Sequence, residues 1–282
     1  MIQVTYNDFV TVCPAAMMPD AAIFDTLQPA IDGQLAYLKN VCGEEAWSFI
    51  SADPEEIEAE KADNWLMLRT NVVAFACASA FENAIPQLDL VLTATGFGIV
   101  SNQNVAPAST ERVNALRKQL HGVASVAFDR VLDELRDATD VTKLPTYYIY
   151  WHSLFWRAIY MRYFGIAQPT RDDLIVNSKA IVAGTERVVN IISEAQYEVL
   201  LKEEATHVDL PPYHQQMLHL CRQAVAAWAT NDGTFGMLRD TIIKLMESNP
   251  SHFAAYMQSS NYQANHFERY ANKKDDTCYF FG

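Results

Sequence analysis

Glu204 and His207 stand three residues apart, the spacing with which helical bundles present a carboxylate and an imidazole to a pair of iron ions. Such a site needs a second Glu-x-x-His and two further Glu residues on facing helices, and the sequence holds no second Glu-x-x-His. The pair therefore reads as ordinary helix-end residues ahead of Pro211. His214, His219 and Cys221 are also neighbours, but a spacing of five points the two imidazoles to different faces of a helix, which is wrong for one shared metal. Cys42 and Cys77 lie in apolar runs, where a nucleophilic thiolate is disfavoured. The chain has no G-x-G-x-x-G, Walker A, G-x-S-x-G, H-E-x-x-H or C-x-x-C sequence. Thr95-Gly96-Phe97-Gly98 is glycine-rich, but it sits within an expected hairpin and not between a strand and a helix N-terminus, where a phosphate is held. The expectation is a protein with no catalytic residue, no metal site and no cofactor, and not an enzyme.

The elements that would position any side chain are mostly helices. Ile2 to Val12 reads as a short helix entered at Thr5 or as a strand. Asp25 and Gln28 have the capping-box spacing, with Pro29 in the first turn, and Ile31, Leu35, Leu38 and Val41 follow at helical spacing. Gly43 interrupts, a short helix covers Ala46 to Ile50, and Asp53 to Asp63 is an acidic solvated stretch. A long apolar helix spans about Trp65 to Glu82. Leu88, Leu90 and Leu92 then alternate, and with Phe97 and Ile99 beyond a Gly96 turn they predict a β-hairpin over 88–101. Ser109 is a good N-cap for a long amphipathic helix through Leu116, Leu120, Val131 and Leu135. Pro145 opens an expected aromatic-rich helix from Tyr147 to Phe164, read as a deeply buried connection or a subunit interface. Helices from about Asp173 to Ile191, from a capping box at Ser193 through Leu200, over Met217 to Trp228 and over Gly236 to Glu247 complete the pattern.

Half of the 282 residues are hydrophobic and 20% are charged, enough apolar content for a sizeable core. The net charge of −13 repels phosphate backbones, which argues against general nucleic-acid binding. The first residues lack the basic and apolar segments of a signal peptide. The most apolar stretch, Val72 to Phe81, is about half of the ~20 residues a membrane span needs. Five scattered cysteines read as free thiols of a protein made in a reducing cytosol.

Sliding the sequence by 150 residues sets Ala30-Ile31 against Ala180-Ile181, Leu38 against Val188, Gly43-Glu44 against Ser193-Glu194, Trp47 against Tyr197 and Ile50 against Leu200. The expected fold is mainly α: two diverged helical-bundle repeats, the first with a β-hairpin insertion. The expected organisation is a first domain over 1–143, with the hairpin at 88–101, a second repeat over 144–271, and a tail over 272–282.

The segment Ala84 to Asn102, followed by Val105 to Val113, resembles a poorly characterised family found in prophages and related phages. The first repeat also looks like the small helical head–tail connector, or adaptor, proteins of tailed phages, though this chain is about twice their size. The resemblance implies a structural virion protein of the neck, made in the host cytoplasm. It would form a ring of about a dozen copies between portal and tail. Its partners would be itself, the portal protein and tail or neck proteins, with no membrane and with DNA only as passing cargo. Leu90, Leu92, Phe97 and Ile99 of the hairpin, and Tyr279, Phe280 and Phe281 of the tail, are the expected partner-binding residues, because aromatic anchors dominate interface energetics. The alternative is a helical protein-binding or assembly protein outside the virion.

Overall fold

A computed structural model describes residues 2–14, 22–88, 90–93, 96–99, 109–206 and 210–266. The helices are α1 (Tyr6–Val12), α2 (Ala22–Ile50), α3 (Ala62–Ala84), α4 (Thr110–Ala138), α5 (Tyr147–Tyr150), α6 (Arg171–Val176), α7 (Ser178–Ile192), α8 (Glu194–Ala205), α9 (Pro212–Thr230), α10 (Phe235–Ser248), α11 (Ala254–Met257) and α12 (Ser260–Asn265). Strands β1 (Leu90–Thr93) and β2 (Gly96–Ile99) pair antiparallel, Leu90 opposite Ile99 and Leu92 opposite Phe97. The protein is mainly α-helical. It divides into unit 1, residues 1–178 with 202–208, and unit 2, residues 179–201 with 209–282. The break expected at 143/144 falls inside unit 1.

Unit 1 is built on α3, which packs against both α2 and α4. Trp65, Leu68, Val72, Ala76, Cys77, Ala78, Ala80 and Phe81 are buried, so α3 is covered on more than one side. The run of alanines lets neighbouring backbones approach closely, while α4 buries one stripe through Leu120, Ala124, Phe128, Val131 and Leu135. Ser109 Oγ caps α4 by accepting from Arg112 N. At the chain start Thr5 and Asp8 form a capping box, so the first segment is a helix and not a strand.

Three local expectations need correction. Asp25 is not a cap: α2 is already helical at Ala22, so Asp25 and Pro29 lie inside it, and Gln28 donates to Asp32 instead of closing a box. Asn177 splits the segment expected as one helix into α6 and α7, its amide donating to the Asp173 carbonyl. The aromatic segment is not a continuous helix. It makes one α turn at Tyr147–Tyr150, runs irregularly to Arg157 and forms a 3₁₀ helix over Ala158–Phe164 that ends at left-handed Gly165. Aromatic side chains are mediocre helix formers, and Ser153 Oγ accepts from Phe155 N, a local turn that competes with helix.

In unit 2, α9 packs on α10, and Ile181, Val188, Val225, Ile242, Phe253 and Tyr256 are buried. Gln196 Oε1 accepts from Tyr256 N, so the Ser193–Gln196 box is only half made: Ser193 Oγ accepts from Gln196 N, but the glutamine side chain is used elsewhere. Helix α7 meets α9 at Gly184, where a Cβ would lie 2.9 Å from Val225 Cγ1 and 3.0 Å from the Val225 carbonyl oxygen. Gly184→Ala is therefore expected to destabilise by about 1–2 kcal/mol, overpacking outweighing the helix-propensity gain of ~1 kcal/mol. Gly122→Ala in α4, whose Cβ would meet nothing within 4 Å, should instead gain up to about that propensity term. Urea denaturation of the two variants checks the opposite signs; equal signs would refute the packing argument.

Candidate functional site

Of the residues the sequence singles out for binding, Leu90, Leu92, Phe97 and Ile99 lie in β1 and β2, and their side chains fall outside the described residues, as do Tyr279, Phe280 and Phe281. His207 is outside them too. His214 is buried and its Nε2–H donates to the His252 carbonyl at 2.7 Å, a packing role. Burial pushes the thiols of Cys13, Cys42, Cys77 and Cys221 up to about 12, so at neutral pH they stay protonated and weakly nucleophilic. Among the described residues no group of three or more His, Cys, Asp or Glu is placed to hold a metal ion. No described helix is long and apolar enough to cross a membrane.

The densest polar cluster holds the aromatic segment onto α4. The buried Asp129 carboxylate accepts from Arg171 at 2.6 Å and from Ala158 N at 2.6 Å. Burial raises its pKa, and the Arg171 guanidinium acts against that rise. Arg171 also donates from its backbone N to Ser125 Oγ, reaches the Trp156 carbonyl, and stacks its guanidinium over Phe128 at 4.8 Å. One turn further along α4, Trp151 Nε1 donates to the Leu132 carbonyl. Arg136 donates to Asp133 and to the Glu204 carbonyl while lying over Trp156. Tyr160 OH donates to Glu204 Oε1, so the carboxylate of the candidate metal pair is committed to a structural bond.

Unit 1 also holds a cleft of about 970 Å³. Asn71 and Ala74 of α3, one side of α4, the 3₁₀ residues Ile159 and Arg162, and residues 167–170 line it. The lining is mostly apolar, through Ala74, Val123, Val126 and Ile159 among others. Lys118, Arg130 and Arg162 add three exposed cations. His121, which also lines the cleft, sits between two carboxylates. Its Nδ1 lies 3.2 Å from Glu82, and its Nε2 lies 3.1 Å from Asp172 Oδ2 but out of hydrogen-bonding alignment. Asp129 does not line the cleft. A volume of this size with an apolar floor and cationic edges suits an apolar segment bearing negative charge. The sequence reading missed these cations because each one, taken singly, belongs to an ordinary solvated helix face; Lys118 and Arg130 are twelve positions apart.

The fold is that of a mainly α-helical protein with a large, mostly apolar cleft in its first unit. Residues 36–147, from within α2 through α4 to Tyr147, match DUF6712, a family of unknown function. No curated protein and no solved structure matches the chain.

Proposed function

We propose that this chain is a structural virion protein, a head–tail connector subunit that assembles into a ring between portal and tail. The observation that carries the assembly half of this reading is where polar and apolar side chains are spent. Buried Asp129 and Glu204 are committed to internal hydrogen bonds, while two pairs of sequence-neighbouring apolar residues in unit 1 stand in solvent. Tyr148 and Ile149 are 76% and 71% exposed, and Ile175 and Val176 are 70% and 81% exposed. Isolated exposed apolar residues are ordinary, but paired ones on a rigid helical body mark contact surfaces. The phage half of the reading rests on the resemblance of the Ala84–Val113 region. Purified particles analysed by mass spectrometry and electron microscopy should contain the chain in about a dozen copies at the neck. Its absence from particles would leave the non-virion assembly role in its place.

We also propose that two copies of one helical unit underlie the chain, the first with the hairpin added. What supports this is a backbone detail. Gly43 and Ser193, 150 positions apart (193 − 43), both have positive φ, 76° and 73°. Each separates a long helical run from the next helix, at Glu44 and at Glu194. Ile31 and Ile181, Leu38 and Val188, and Ile50 and Leu200 are buried in both units. Left-handed backbone is uncommon for serine, so its recurrence at this offset is a specific coincidence to explain.

A further inference from the structure

Lys118, Arg130 and Arg162 make no ion pair or hydrogen bond among the described residues, although the chain carries 34 carboxylates to 21 Lys and Arg. In so acidic a molecule, three exposed cations around one apolar cleft form a local positive surface that attracts a negatively charged segment, although Glu134 lies close enough to Arg130 to feel its charge. The chain also exposes the complementary surface. Asp53–Glu60 carries five carboxylates around Ile57, in two short 3₁₀ turns, Pro54–Glu56 and Ala59–Lys61. Asp53 is spent on capping Glu55 N, and Glu58 pairs with Lys61 at 2.8 Å. Glu55, Glu56 and Glu60 are exposed and close no ion pair among the described residues.

We propose that the cleft of one copy receives the acidic segment Asp53–Glu60 of a second copy. Pro54, Ile57 and Ala59 supply apolar surface for the floor formed by Ala74, Val123 and Ile159. Cleft and segment are different patches, so the contact is head-to-tail and either closes into a ring or propagates. This deepens the assembly reading and rests on it only for the closure of the ring.

Charge reversal tests it on the full chain. Arg130→Glu with Arg162→Glu alters only the cleft, and Glu55→Lys with Glu56→Lys alters only the segment. All four side chains are exposed, so far-UV circular dichroism should show both variants folded. Wild type is expected to sediment above monomer mass at low salt and to dissociate at high salt. Each variant alone should associate at least about tenfold more weakly, because like charges then face each other. An equimolar mixture should recover association, since each variant's cleft then meets a segment of opposite sign. The proposal is overturned if wild type stays monomeric at low salt, if either variant alone assembles like wild type, or if the mixture does not recover. Presence in particles with assembly indifferent to the swaps would defeat this contact and leave the connector reading standing. Charge-dependent assembly of a chain absent from particles would do the reverse.

Discussion

Arg171→Met is expected to destabilise the protein by about 3 kcal/mol near neutral pH, which at this chain length lowers the thermal midpoint by roughly 6–12 °C. The substitution removes the guanidinium from a carboxylate whose side chain is only 10% exposed and leaves Ala158 N donating to Asp129. The lower end of the range for breaking a buried pair applies because Arg171 itself is 24% exposed. The pH dependence has a definite sign. Burial already holds the Asp129 carboxyl above its usual range, and losing Arg171 raises it further. A carboxyl with a folded-state pKa above its unfolded value leaves the native state holding more protons, so stability falls as pH rises through that window. The variant's deficit should therefore be smallest in acid and grow toward neutral pH. Adding Asp129→Leu should recover much of the loss, because the stranded charge is then gone. Urea titrations of the single and double variants at acid and neutral pH measure this. A single variant as stable as wild type, or a deficit independent of pH, would show that the pair does not hold α6 to α4.

Trp151→Ala should cost about 3–5 kcal/mol. Trp151 is 1% exposed and is among the largest fully buried side chains, and its indole N–H is spent on the Leu132 carbonyl of α4. Truncation removes that bond and opens a cavity between α4 and the aromatic segment, which surrounding helices fill only in part. Trp151→Phe should be milder, keeping much of the apolar bulk and losing a hydrogen bond worth about 1 kcal/mol. Tyr148→Ala, three positions away but 76% exposed, should stay within about 0.5 kcal/mol of wild type. The contrast is the test. If Tyr148→Ala proves as damaging as Trp151→Ala, the segment does not pack on α4 through its tryptophan.

The sequence by itself determined the elements whose cause is local. Apolar residues at helical spacing place α3, α4, α9 and α10, because the period of a helix is written in neighbours three and four apart. The Ser109 cap and the interruption at Gly43 are equally local, and Gly43 takes a conformation (φ 76°, ψ 165°) that side chains disfavour. Tertiary structure alone decided the rest. The aromatic run from Tyr147 to Phe164 has the composition of a buried helix, yet its backbone follows partners that are distant in sequence: Leu132 for Trp151, Asp129 for Ala158, Glu204 for Tyr160. Arg171 meets Asp129 across 42 positions, and Lys118, Arg130 and Arg162 come to one cleft only when α4 and the 3₁₀ turn are packed. Such pairings leave no periodic trace in a sequence. They are set by which surfaces the helices bury against one another, and that is settled by packing the whole of unit 1 rather than by any stretch of it.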